Sequence, residues 1–410
     1  MIIACRQRGG TGDRPLVSCM TFEWGAGKDS YRVREQFINE HTTSAAVKIT
    51  YAPHSTYVTK LLASFAGNIA PDLMFSMNGR HRLFLAKGIF LPLDDFIKGP
   101  GGIDLNDFNA TFIREQLMRG GKIHALPQTQ STLALYYNRE LFRRAGLPDL
   151  STTEPITWDR YRELAQALTR DLDGDGATDQ YGCAPGFDSQ QPTYYFYVLN
   201  ESFGCRTYND DGTRANFDSD ATADAFRFLH SLIYEYKSAP PPLVAQQLGG
   251  ALFPANRLGL VINGPWMAYD FQQTAPDLDY GVAPLPYRPG CPRRNMIGGE
   301  AIGISAQCRN PAAAWEIIKA FVSPEFQKLP IQGLPSRLSV MSQPGFKGLP
   351  HWEIFRNEME FGTANFFTAK YDQVSTILRQ YAERILSDPG AKPRIPALLK
   401  EMNAKINALL

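Results

Sequence analysis

The 410-residue chain carries 42 lysine and arginine residues against 41 aspartate and glutamate residues, and 44% of it is hydrophobic. A balance this even leaves no basic footprint, which argues against a nucleic-acid partner. The length exceeds what one ordinary core supports, so two domains are expected, and no apolar run is long enough to span a membrane.

Residues 1–15 contain Ile2-Ile3-Ala4-Cys5, the pattern of small residues before a cysteine that ends a lipoprotein signal. The charged and apolar segments that precede such a cysteine are missing from this sequence. Cys5 is then the lipidated residue, and the polar, Gly-rich stretch 6–14 is a tether between lipid and fold. The alternative is a chance match of four residues.

Residues 16–22 have the apolar and β-branched character of a strand. Residues 28–41 place Tyr31, Val33, Phe37 and Ile38 near one face of a helix, and 46–51 form a second strand. Ser55 is positioned to cap a helix running to about residue 66, with Tyr57, Leu61, Leu62 and Phe65 at helical spacing. Gly67-Asn68 ends it, and 72–77 form a third strand. This order implies a mostly parallel, doubly wound sheet. Such sheets bind ligands beyond the carboxyl ends of their strands. Those ends carry Glu23-Trp24-Gly25, Pro53-His54-Ser55 and Met77-Asn78-Gly79, although polar loops are common without a ligand.

Further along, Thr157 is expected to cap a helix bearing Trp158, Tyr161, Leu164 and Leu168, and Asp218 another with Phe226, Leu229 and Ile233 inward. Residues 258–262, 280–283 and 301–305 are strand-like. Asn310-Pro311 and Ser323-Pro324 open helices in the favoured cap-then-proline order. Residues 373–386 form a late amphipathic helix, and Pro240-Pro241-Pro242 a rigid loop. The repeated alternation supports two α/β lobes.

Besides Cys5 there are Cys19, Cys183, Cys205, Cys291 and Cys308, with no CxxC or Cys/His metal spacing. Cys19 is expected to be buried. In an oxidising compartment, Cys183–Cys205 and Cys291–Cys308 are the pairings to test. Asp171, Asp173, Asp175 and Asp179 alternate around Gly174 and Gly176 like the first half of a calcium loop. The twelfth position is Gly182, where such a loop needs a bidentate glutamate. A structural calcium site and a metal-free Asp-Gly turn both remain open, and no other cofactor is expected.

Several segments together resemble the extracellular solute-binding proteins of carbohydrate ABC importers, the maltose-binding-protein-like solute-binding family 1. Gly67-Asn68-Ile69-Ala70-Pro71-Asp72-Leu73 is similar to the family's entry to its third strand, and 86–93 to the turn that follows. Leu126-Pro127 through Tyr136-Tyr137-Asn138-Arg139-Glu140-Leu141-Phe142 matches a second family segment, and 158–168 the next helix. Gly264-Pro265-Trp266, Pro286 with Gly298-Gly299, and Leu334-Pro335-Ser336-Arg337 complete the series. Each motif is weak alone; their order over 16–386 is specific.

The resemblance implies a type II periplasmic-binding-protein-like fold of two doubly wound α/β lobes. Three crossings join the lobes, near 127–132, 284–287 and 329–335. Residues 16–128 plus 286–332 would form the N-terminal lobe, and 129–285 plus 333–410 the C-terminal lobe. It also implies a monomeric, extracytoplasmic protein that closes on a carbohydrate and docks on the permease subunits of an ABC importer. In family terms Trp24, Asn78, Gln130, Gly299, Glu300 and Arg337 lie at or beside cleft-facing positions.

Trp266 is the leading candidate for ligand contact, because an indole face packs on the C–H face of a sugar. Core packing is its alternative role. Glu300 and Arg337 can bond several hydroxyls, or pair with other charged groups across the lobes. Phe187-Asp188-Ser189-Gln190 and Tyr194-Tyr195-Phe196-Tyr197 are candidates for the second-lobe wall.

An enzyme acting on carbohydrate is the main rival. It needs two carboxyl groups at a set separation, for which Glu23 and Glu300 are the candidates. No G-x-S-x-G, HExxH or P-loop motif supports catalysis. A phosphorylated polyol such as glycerol phosphate is the other rival, with Arg337 and His54 available to meet an anion.

Overall fold

The Leu16–Glu23 strand alternates exposed and buried positions, sending Val17, Cys19 and Phe22 into the core. It pairs in parallel with Ala46–Pro53 along its whole length and with Leu73–Ser76 on its other edge. The computed structural model describes residues 14–23, 28–184, 192–329, 333–364 and 366–410. Cys5 and the rest of the expected tether up to residue 13 lie outside the described residues, as do Trp24 and Asp188.

The second strand runs on to Pro53, and the His54–Ala66 helix starts at once. Pro53 is the N-cap and gives no side-chain bond, so Ser55 lies in the first turn rather than capping it. Ala301–Ile304 joins this sheet late in the chain, antiparallel to Leu73–Ser76 and to Leu126–Pro127. The order across the sheet is 46–53, 16–23, 73–76, 301–304, 126–127.

A second sheet has the order 280–283, 134–138, 258–263, 181–183. Ala134–Asn138 is buried at every position, as a strand covered on both faces must be. It runs antiparallel to both neighbours, while Tyr181–Cys183 lies parallel to Leu258–Asn263. This sheet is therefore mixed, unlike the parallel trio that opens the first.

Thr157 caps Trp158–Leu168, its hydroxyl accepting from Arg160 N at 3.1 Å. Asn310 and Ser323 cap their helices in the same way. Asp218 does not cap its helix. Ser219 takes that place one residue later, and Asp218 Oδ1 accepts instead from Asn403 Nδ2 at 2.7 Å. Pro242 opens a helix, Pro242–Leu248, so the proline run leads into regular structure.

All the described cysteines are unbonded. Cys291 Sγ sits beside Gly204, while Cys308 follows the Ala301–Ile304 strand of the other sheet. Cys183 is buried within its strand, and Cys205 Sγ accepts from Ser219 Oγ at 3.3 Å. The two expected pairings therefore do not form.

Three passages of chain run side by side between the sheets. Thr129–Gln130 pairs antiparallel with Leu334–Pro335. Ser131 bridges to Gly298, and Asn295 exchanges both amide bonds with the Leu133 backbone, at 3.1 and 2.8 Å. Gln327 ties two passages further, donating to Gln128 O at 2.9 Å and accepting from Ser336 N at 2.6 Å.

Candidate functional site

A cleft opens where the strands of the first sheet end. Phe22, His54, Met77 and Asn78 come from the carboxyl ends of its parallel strands. Gly299 and Glu300 precede its late strand, Thr129, Ser131 and Gly333 lie in the passages between the sheets, and Tyr194 and Trp266 complete the lining from the helices Pro192–Ser202 and Pro265–Thr274.

The Gly298-Gly299-Glu300 rim is clamped from behind. Asn78 Oδ1 accepts from Gly299 N at 2.5 Å. Gly299 has φ +147°, and a Cβ there would lie 2.2 Å from Thr129 O, so only glycine fits. His81 Nε2 donates to Gly299 O at 3.2 Å. A carbonyl only accepts, so this bond fixes the proton on Nε2, and Nδ1 accepts from Ser76 Oγ at 2.6 Å. Burial lowers the His81 pKa to about 3, which keeps the ring neutral.

Glu300 is held at three atoms. Its N donates to Thr129 Oγ1 at 3.0 Å, its O accepts from Gln128 N at 2.8 Å, and Oε2 lies 3.2 Å from Arg34 Nη1. His54 meets Phe22 edge to face at 5.5 Å. Burial, helped by the Arg80 charge, lowers the His54 pKa to about 4, so it offers the cleft a neutral imidazole.

Trp266 stands in the first turn of the Pro265–Thr274 helix. Its indole covers Gly264, where a Cβ would lie 2.1 Å from the ring. Tyr136 Oη donates to Gly264 O at 2.7 Å and fixes that turn. The ring is half-buried against the core with one side to the cleft.

Of the residues singled out in the sequence, His54, Asn78, Trp266, Gly299 and Glu300 come together here. Gln130 lies between two lining residues but is buried, and its Nε2 donates to Pro335 O at 2.8 Å, joining two crossings. Arg337 is placed outside the cleft. Its Nη1 is 2.8 Å from Asp107 Oδ2, and the guanidinium covers the Phe108 ring at 5.0 Å. Tyr194 belongs to the aromatic run suspected as a wall, and Met77 to a strand-end loop named in the sequence, whereas Phe22, Thr129, Ser131 and Gly333 were not singled out. The signal for Phe22 and Met77 was their position at strand ends, and for the others their place in the crossings.

In the Asp-rich loop, carboxylate oxygens of Asp171, Asp173 and Asp179 lie within 4.8 Å of one another. Asp175 is not part of this group among the described residues, and its Oδ1 accepts from Ala177 N at 2.8 Å. Asp171 accepts from Gly174 N and Gly176 N, and Asp179 pairs with Arg257 at 3.1 Å.

Residues 31–328 match the family model described as bacterial extracellular solute-binding protein. A binding protein of Brucella abortus (strain 2308) is 27% identical over 273 residues, 65% of this chain and 62% of that protein. The chain thus spans less than two thirds of the length of that curated relative. A maltooligosaccharide ABC transporter solute-binding lipoprotein of Streptococcus pneumoniae (strain ATCC BAA-255 / R6) is 24% identical over 344 residues, 80% of this chain and 75% of that protein. An ABC substrate-binding protein of Listeria monocytogenes, solved in complex with cycloalternan, superposes with a TM-score of 0.81 at 19% identity. That superposition covers 97% of this chain and 99% of that chain, and it shows the fold to be of the type II periplasmic-binding kind. With its family model matched over most of its length, this chain belongs to the bacterial extracellular solute-binding proteins.

Proposed function

We propose that this protein is the extracytoplasmic carbohydrate-binding subunit of an ABC importer, which captures a sugar or oligosaccharide between two lobes and delivers it to the membrane permease. One observation carries the proposal. The Trp266 indole on one wall of the cleft faces a wall of Asn78, His54 and Glu300. An indole packs on the apolar C–H face of a sugar ring, and amide, neutral imidazole and carboxylate take its hydroxyls. The membership of each sheet favours lobes of 16–128 with 286–332 and of 129–285 with 333–410. A ligand touching both lobes would bias the chain toward its closed form, which the permease would read.

In this proposal the protein acts as a monomer, catalyses nothing and is anchored through a lipid on Cys5. Glu300 is the carboxylate lining the cleft among the described residues, while hydrolysis of a glycoside calls for a pair. An uncharged ligand is favoured over a phosphorylated polyol, because Arg337 is engaged by Asp107 and His54 is neutral.

A thermal-shift screen against neutral sugars (maltose, maltotriose, mannobiose and D-tagatose), glycerol 3-phosphate and spermidine tests the proposal. Binding to the folded state raises the melting temperature by mass action. Stabilisation by a neutral sugar is the expected result. Stabilisation by glycerol 3-phosphate or spermidine alone would overturn it, as would steady release of product from a labelled oligosaccharide.

A further inference from the structure

We propose that Arg34 is a positioning residue for the ligand: it holds the Glu300 carboxylate at the cleft wall and cancels its charge, so that the site takes an uncharged saccharide. This rests on the carbohydrate role proposed above for the cleft. Arg34 lies on the Lys28–His41 helix, and its side chain is 1% exposed against 11% for Glu300. The guanidinium therefore sits behind the carboxylate and out of a ligand's reach. Its Nη1 takes Oε2 at 3.2 Å, which leaves Oε1 for a ligand hydroxyl.

Two buried titratable groups near Arg34 carry no charge, and two carboxylates nearby have partners of their own. The buried Cys19 thiol is pushed well above its usual range and stays neutral. The Tyr57 hydroxyl is also kept neutral by burial and donates to the Phe75 carbonyl, with Met20 O 3.2 Å away. Glu35 is bonded to Lys48 and to Ile49 N, and Asp72 to Ser18. If stability alone were at stake, apolar residues of similar volume would serve as well as a buried ion pair, and often better. What this pair supplies is a fixed acceptor on a wall with no net charge. The same crossing that fixes the Glu300 backbone thereby fixes the acceptor relative to Trp266.

The test compares wild type with Arg34→Met, Arg34→Lys, Glu300→Gln and the Arg34→Met/Glu300→Gln double variant. The probes are maltotriose, mannobiose, D-tagatose and glycerol 3-phosphate, read by thermal shift and titration calorimetry. Wild type is expected to bind at least one neutral sugar and not glycerol 3-phosphate. Glu300→Gln and Arg34→Met should each weaken that sugar by about tenfold or more. The double variant should be no weaker than the weaker single one, and Arg34→Lys should keep most of the affinity. If Arg34→Met alone does not fold, the double variant carries no unpaired carboxylate and is compared directly with Glu300→Gln. Wild-type affinity in Arg34→Met, or losses that add in the double variant, would overturn the role of Arg34. Wild-type affinity in Glu300→Gln would overturn the role of its carboxylate, and with it that of Arg34. Wild type stabilised by no sugar of the panel would instead overturn the carbohydrate proposal itself.

Discussion

The Tyr194 hydroxyl donates to the Asn78 carbonyl oxygen at 3.3 Å, joining the two walls of the cleft through residues that both line it. Beside this bond, Arg80 Nη2 lies 2.9 Å from Asp372 Oδ1, and the Arg80 guanidinium covers the Tyr371 ring at 5.6 Å. Gly79, at φ +80°, packs so closely on that ring that a Cβ would lie 2.3 Å from it. These contacts hold Gly79 and Arg80 against Tyr371 and Asp372 on one side of the cleft. Asp372 is 45% exposed, so screening limits its pair with Arg80 to about 0–1 kcal/mol. Arg80→Ala should therefore raise the Kd for sugar by up to about fivefold. It should also enlarge the radius of gyration of the ligand-free protein in small-angle scattering. An unchanged radius and Kd would show that these contacts do not govern closure.

Trp266→Ala should cost about tenfold or more in sugar affinity, the scale of a lost aromatic contact, and should also lower the melting temperature of the free protein, because the ring packs partly against the core. Gly264→Ala should act in the same direction without touching the ligand, because its methyl group would occupy the place of the indole. Titration calorimetry checks both. Full affinity in Trp266→Ala would remove the indole from the site.

Glu358 gives stability a pH dependence. Burial raises its pKa to about 7, while Arg293 and the Asn295 amide oppose the rise. The folded state then keeps a proton that the unfolded chain releases near 4.5. Its contribution to stability should fall as pH rises from about 4.5 to 7, by about 3 kcal/mol at 1.36 kcal/mol per unit. His54 and His81 act oppositely. Their lowered pKa values cost stability as pH falls below the usual 6.5 toward about 4 and about 3. The effect of Glu358 is therefore read as a difference between wild type and Glu358→Gln in urea unfolding from pH 5 to 8. Parallel curves would refute it.

The Asp171–Asp179 turn already satisfies its carboxylates with its own backbone N–H groups and with Arg257. A chelator should leave the melting temperature unchanged within about 1 °C, since only a bound ion shifts it. A calcium-dependent rise that disappears in Asp171→Asn would establish a structural metal instead.

Strand ends were legible in the sequence because apolar runs stop where the chain must turn, which put His54 and Asn78 on the right edge. Gly264-Pro265-Trp266 was legible as a family motif after a strand, and the structure makes it a helix start with proline in the first turn. Arg337 was misplaced because a motif gives chain position and not partners. Its carboxylate, Asp107, comes from a distant segment. Arg34 was invisible for the same reason. Helical periodicity weighs apolar residues, and nothing local shows that a charged residue will be buried against Glu300. Ser55 and Asp218 failed as caps by two residues and one residue, the level at which local hydrogen bonding decides a helix start.

The late strand of the first sheet has a consequence for how the chain reaches its native state. Residue 301 pairs with residue 76 on one side and with residue 127 on the other. As the polypeptide emerges from the ribosome, the first sheet thus stays incomplete until all four strands of the second have been made. Loop closure over that separation is slow, as it is for sheets built from distant segments. A nascent chain of this topology keeps its first sheet unfinished through most of synthesis, leaving a long interval in which an export machinery could thread it unfolded.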